Sequence, residues 1–233
     1  MAKHPESTSR GRGFFVAFEG GDGAGKSTQI GLLAQVVEAS GREVVTTREP
    51  GGTELGAQIR GLLLHGGGVS PRAEALLFAA DRAEHVDSLI GPALERGAVV
   101  ITDRFVDSTL AYQGARSELE PAELRALARF ATGGLMPDLT VLLDVSPQLG
   151  RSRREGGDDR IEAECEVFHS RVREGFLALA QASPERYLVL DAGGSVGEIA
   201  ERVAQVVSER LDHRAEAAPA GRPSGHDGAG VAR

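Results

Sequence analysis

The sequence predicts an α/β domain whose parallel sheet is covered by helices on both faces. Three observations predict it. Short apolar runs recur at residues 14–18, 43–47, 98–102, 139–144 and 187–191. Between them lie segments of helical period. The first run passes directly into a glycine-rich loop and then a helix, the order in which a phosphate-binding loop occurs. Strands that alternate with helices and read as continuous apolar runs belong to parallel sheets buried on both sides.

Residues 1–12 are polar, without periodicity, and read as a disordered leader. Residues 14–18, FFVAF, form the first strand, and Gly20-x-x-x-x-Gly25-Lys26-Ser27 follows at once. Glycines there let successive N–H groups turn inward at a helix N-terminus, a ready anion site. Gly20, Gly21, Asp22, Gly23, Ala24, Gly25, Lys26, Ser27 and Thr28 are therefore expected to hold a nucleoside triphosphate. Lys26 would reach the β- and γ-phosphates, and the Ser27 hydroxyl would sit on Mg²⁺. The chain has 31 glycines but only two lysines, Lys3 and Lys26, so a chance match at this spacing is improbable.

The helix carrying Ile30, Leu33 and Val37 stops at Ser40-Gly41. Arg48-Glu49-Pro50-Gly51-Gly52-Thr53 reads as a loop after the second strand. Leu55, Ile59, Leu62 and Leu63 mark a second helix, and Ser70-Pro71 opens a third, as cap and first-turn proline. Gly91-Pro92 kinks or restarts that helix. Further helical stretches fall near 108–114, 121–132 and after Ser146-Pro147. Ile161, Cys165, Phe168, Val172, Phe176 and Leu179 read as one apolar stripe, with Cys165 as a small core residue. A last helix covers 196–211, and 212–233 reads as a disordered tail.

Net charge of −8 over 233 residues argues against a broad nucleic-acid surface. No apolar run approaches membrane-spanning length, and the first residues lack a signal-peptide core. The single cysteine excludes an internal disulfide or a cysteine metal cluster, and the six histidines show no ligand spacing. A soluble cytoplasmic protein with no membrane or nucleic-acid partner is expected.

In open parallel sheets, ligands bind beyond the C-terminal strand ends. Asp103, at such an end, would hold Mg²⁺ opposite Ser27, or else cap the next helix. Arg104 would bind a second phosphate as a fork, or form a surface ion pair. Phe78 and Arg82 lie four apart on one helix face, which suits stacking on a base and a hydrogen bond to its carbonyl. Spacing alone leaves Phe78 open between that role and ordinary core. The run 151–160, arginines beside glycines, reads either as a closing lid that brings positive charge to a transferring phosphoryl group or as a solvated loop.

Over roughly residues 14–211 these motifs resemble the thymidylate kinases among the nucleoside monophosphate kinases. The likeness rests on FEGGDGAGKST (18–28), REPGGT (48–53), LLFAADR (76–82), DRF (103–105), STLAYQG (108–114), LDVSP (143–147) and DRIE (159–162). The resemblance implies a five-stranded parallel core of order 2-3-1-4-5, a homodimer, and transfer of the ATP γ-phosphate to dTMP, giving dTDP. It further implies that Phe78 stacks on thymine, Arg82 bonds its O4, Thr109 bonds the ring edge and Gln113 sits nearby. Tyr112 would crowd the sugar 2′ position, Asp22 would bind the 3′-hydroxyl, and Arg104 the acceptor phosphate. Members of the family carry a catalytic arginine in the phosphate loop or in the lid. With Gly23 at the loop position, this chain is similar to the lid type, Arg153 or Arg154 being the candidates. Its lid is a residue or two shorter than in similar bacterial members, and Phe105 stands where Tyr is usual.

Two other readings share the phosphate loop: a kinase for another small molecule or nucleotide, and a nucleotide-binding switch. A switch of the GTPase kind needs an Asn/Thr-Lys-x-Asp motif, which two lysines so placed cannot supply.

Overall fold

The computed structural model describes residues 13–116, 119–153 and 160–217. The expected leader at 1–12, Arg154 with the middle of the expected lid, and the tail from 218 lie outside the described residues. Five parallel strands, β1 (Phe14–Glu19), β2 (Val44–Arg48), β3 (Val99–Asp103), β4 (Leu139–Asp144) and β5 (Tyr187–Asp191), form one sheet. Their order is β2-β3-β1-β4-β5, all neighbours parallel. Nine α-helices of the described residues wrap it: α1 (Lys26–Ala39), α2 (Glu54–His65), α3 (Pro71–His85), α4 (Gly91–Glu95), α5 (Val106–Ala115), α6 (Pro121–Thr132), α7 (Pro147–Ser152), α8 (Glu166–Ala182) and α9 (Val196–Ala217).

Period two in β1 divides the core. Phe14, Val16 and Phe18 pack with Ile30, Leu33 and Val37 of α1 and with Val203 and Val207 of α9. Phe15 and Ala17 point the other way, onto Ile90, Leu94, Val100 and Phe105. A third cluster joins Leu142 to Ile59 and Leu63 of α2, Tyr112 of α5, and Phe168, Val172 and Phe176 of α8. Burying each such large apolar side chain contributes about 1.5–3 kcal/mol. The edge strands β2 and β5 are only half-buried, as their positions dictate.

Register brings the functional strand ends level: Phe18 and Arg48 both lie opposite Asp103. Arg48, expected in the loop, is the last residue of β2. At Gly91-Pro92 the chain stays helical. The preceding turn widens into a π-helix over Val86–Ile90, with Gly91 N–H bonding Val86 O, and this accommodates the proline's missing donor.

Cys165 is exposed and caps α8 rather than lying in the core. Residues 160–164 form turns, so the four-residue step from Ile161 to Cys165 is not a step along one helix. The buried face of α8 is Phe168, Val172, Phe176 and Ala180, with Leu179 half-buried beside it. The last helix continues to Ala217, past the boundary expected at 211.

Candidate active site

The loop after β1 needs its glycines. Gly20, Gly23 and Gly25 have φ of +133°, +75° and +89°, in the region L side chains avoid. A Cβ on Gly23 would also lie 2.1 Å from the carbonyl oxygen of Gly150 in α7. With that backbone, a side chain at 23 has no room.

Gly25 precedes α1 without a side-chain cap, leaving the first-turn N–H groups turned toward the loop. The buried Lys26 folds back, its Nζ donating to Gly20 O (3.2 Å) and Gly21 O (3.0 Å). Burial and then the nearby Arg104 hold its pKa below the usual lysine value. Ser27 Oγ donates to Asp103 Oδ2 at 3.4 Å. Asp103 Oδ1 is buried and has no partner among the described residues. A hydroxyl beside an orphaned carboxylate oxygen fits Mg²⁺, which takes one or two protein oxygens together with substrate phosphates. These groups open on a cleft of about 1460 Å³ that also reaches Thr28, Arg104, Arg153 and Ala192. Arg153, the C-cap of α7, donates from Nη1 to Ala192 O (2.7 Å), which ties it to the loop after β5.

A second cleft, of about 680 Å³, is lined by Asp22, Phe78, Arg82, Arg104, Thr109, Tyr112 and Gln113, every residue expected to bind the acceptor. Asp22 and Arg104 border both clefts. Arg104 is the one non-glycine with positive φ (+69°) among the described residues. Its guanidinium bonds Gly20 O (3.1 Å), Ser108 Oγ (3.1 Å), Asp22 Oδ1 (2.5 Å) and Tyr112 Oη (3.2 Å). Tyr112 in turn donates to Asp22 Oδ2 (3.2 Å). Its ring is wedged edge-on against Phe168 and Phe176, so the apolar core holds the ring while the hydroxyl enters the site. Burial raises the Asp22 pKa, but Arg104 and Lys26 together outweigh it and hold the carboxyl well below its usual range.

Arg82 is 1% exposed. It donates to Glu49 (2.7 Å), Thr109 Oγ1 (2.9 Å) and Phe105 O (2.9 Å), which leaves two of its five N–H donors for a ligand. Phe78 is half-buried at the cleft rather than sunk in the core.

A family model described as thymidylate kinase matches residues 18–203. A thymidylate kinase of Clavibacter sepedonicus is 57% identical over 185 residues, covering 78% of this chain and 88% of its own. One from Bifidobacterium longum subsp. infantis is 56% identical over 192 residues, covering 80% and 82%. A third, from a Synechococcus strain, is 53% identical over 197 residues, covering 84% and 96%. The chain belongs to the thymidylate kinase family.

Around this kinase site stand carboxylates that motif reasoning did not single out. Glu49, after β2, also accepts from His85 Nδ1 (2.9 Å), whose Nε2 meets Thr47 Oγ1 (2.7 Å). This buried chain fixes the plane of Arg82. Glu19, the last residue of β1, accepts from the N–H groups of Phe105 (2.9 Å) and Ser108 (3.1 Å) and from Ser108 Oγ (2.6 Å). It therefore pins the chain that follows Arg104. The available signal was a charged residue closing an otherwise apolar strand.

Burial, and then the charge of Asp107, push the Glu19 carboxyl up from 4.5 to about 7. Because the folded-state value is raised, its stabilising contribution is full below 4.5 and is lost as pH rises through 7. Glu19→Gln removes that titration. Between pH 5.5 and 8 the wild type should lose about 2 kcal/mol more stability than the variant, at about 1.4 kcal/mol per pKa unit. Urea unfolding at the two pH values measures the difference, and parallel losses would refute it.

Proposed function

We propose that the two clefts are the donor and acceptor sites of one phosphoryl transfer, meeting at Asp22 and Arg104. The chain phosphorylates dTMP to dTDP, with ATP as the donor. The observation that carries the division of labour is the shared border, which brings the cleft of the phosphate loop and the cleft of the expected acceptor residues edge to edge.

In the acceptor cleft Phe78 is the platform for thymine, Arg82 donates to O4, and Thr109 and Gln113 serve the ring edge. Tyr112 and Asp22 face the sugar, one crowding the 2′ position and the other accepting from the 3′-hydroxyl. Arg104 holds the acceptor phosphate. A phosphate oxygen of dTMP attacks the γ-phosphorus of ATP, the bond to the β-phosphate oxygen breaks, and ADP leaves. The attacking oxygen is already anionic, so no general base is needed. The obstacles are charge repulsion and alignment.

Lys26 and the loop N–H groups draw charge from the donor phosphates. Ser27 and Asp103 would hold Mg²⁺, which would neutralise charge on the β- and γ-oxygens. Arg153 borders the donor cleft and, with Arg154 of the lid, is the candidate to stabilise charge on the transferring group. The protein acts in the cytoplasm as a homodimer. Support for the dimer comes from Leu62, Leu76 and Phe130, large apolar side chains exposed on α2, α3 and α6, helices that pack side by side. Phe130 is 86% exposed. No helix among the described residues is long and apolar enough to cross a membrane.

ADP release coupled to a panel of acceptors tests the reading. High activity with dTMP, less with dUMP and little with ribonucleotides is expected. Activity on another acceptor would overturn the base-site assignment, and ADP release without any acceptor would favour the nucleotide switch.

A further inference from the structure

On α3, Glu74, Phe78 and Arg82 recur every four residues, so they share one helix face. Opposite them α5 runs the other way: Arg82 meets Thr109 and Phe105, and Glu74 meets Gln113. Glu74 is buried behind Gln113, and motif reasoning did not select it. Gln113 is 2% exposed and lines the cleft. Its Nε2 donates to Glu74 Oε1 at 3.0 Å, and its Oε1 has no partner among the described residues. The other carboxylate oxygen, Oε2, accepts from Arg160 Nη2 (2.5 Å), while Arg116 Nε stands 3.4 Å from Oε1. Arg160 is itself anchored, donating from Nε to Leu63 O (2.9 Å).

An amide side chain can turn over, exchanging its donor and acceptor ends, and the chemistry of its neighbours decides which end faces where. A carboxylate only accepts, so it takes the NH₂ end of Gln113 and turns the carbonyl oxygen toward the ligand. We infer that Glu74 is a positioning residue that fixes Gln113 as a hydrogen-bond acceptor and thereby selects the base. This inference rests on the reading that Arg82 and Gln113 meet the edge of the base. With Gln113 so held, the cleft offers a donor from Arg82 beside an acceptor from Gln113. That pattern complements thymine, whose O4 accepts and whose N3–H donates. It opposes cytosine, whose N4 donates and whose N3 accepts, leaving both protein groups unmatched. Without Glu74 the amide can invert, and the acceptor that distinguishes the two bases is lost.

The test measures kcat and KM for dTMP, and kcat/KM for dCMP, in four variants whose folding is checked by thermal melting. Glu74→Met should raise the dTMP KM by about 10–100-fold, change kcat less than about threefold, and lower the dTMP-to-dCMP ratio at least about tenfold. Glu74→Gln has one acceptor oxygen, which the charged Arg160 takes, so its NH₂ faces Gln113, inverts that amide and should lower the ratio at least as far as Glu74→Met. The exchanged pair, Glu74→Gln with Gln113→Glu, still turns an oxygen toward the base and should prefer dTMP; it carries the test if Glu74→Met does not fold. A ratio unchanged in Glu74→Met, a loss confined to kcat, a Glu74→Gln variant that keeps the wild-type ratio, or an exchanged pair without dTMP preference would each overturn the inference. Gln113→Leu separates the two levels. If it leaves KM and ratio unchanged, the base-edge reading itself fails. If it shifts both while Glu74→Met shifts neither, only the role of Glu74 falls.

Discussion

Lys26→Met should lower kcat about a thousandfold while leaving the fold intact. Each donor aimed at developing charge in a water-poor site is worth about 10²–10³ in rate. Lys26 combines such a donor with a full charge, and no second lysine is at hand, since Lys3 is the only other one in the chain. In the structure its ammonium is held by two loop carbonyls, Gly20 O and Gly21 O, and the residue lines the donor cleft. Methionine keeps the length and apolar stem of the side chain, so packing at this buried position survives. Removing a buried cation also removes its desolvation cost, the main cause of the depressed lysine pKa, and the repulsion from Arg104. Stability is therefore expected to hold, with a urea midpoint at or slightly above that of wild type. Steady-state turnover with dTMP at saturating ATP gives kcat. A value within tenfold of wild type would remove Lys26 from the chemistry.

What could be read from residues alone follows the range of the interactions involved. The phosphate loop, the Ser70-Pro71 and Ser146-Pro147 helix starts and the apolar strands are set by neighbours a few positions away, and each stands in the structure where it was expected. The residues expected to bind the acceptor came from ordered motifs, and one cleft gathers them. The groups that hold those residues still were not legible. Glu19 acts on Ser108, 89 positions away, and Glu49 on Arg82, 33 away. Nothing in local pattern marks a carboxylate as the partner of a distant amide or guanidinium. Cys165 shows the opposite failure, where a helical period was counted across a turn that breaks the helix. The φ of Arg104 is likewise a tertiary effect. Its own N–H is held by Phe18 O of β1 and the residues after it are pinned by Glu19, and between these anchors it takes the conformation that aims its side chain across the loop.

That arrangement makes Arg104→Met the second large effect. Its guanidinium joins Gly20, Asp22, Ser108 and Tyr112, so it is preorganised at the border of the two clefts before any phosphate arrives. Truncating a buried, hydrogen-bonded charge of this kind should lower kcat/KM for dTMP by about 10²–10³. Part of any loss could come from damage rather than from a missing contact, because Asp22 would keep its charge with no guanidinium beside it. Leaving one partner of a largely buried pair costs up to about 3–5 kcal/mol, and the partial exposure of these two side chains reduces this to about 2. The depressed pKa of Asp22 provides the check. Its stabilising contribution is present above the ordinary carboxylate range and is lost as pH falls from there toward the depressed folded value, so the acid-side loss should shrink in Arg104→Met. Adding Asp22→Asn removes the stranded charge. The double variant should regain most of the lost stability at pH 7 yet none of the lost kcat/KM. If activity returned together with stability, Arg104 would be a strut for the loop, and the acceptor phosphate would have to be held elsewhere.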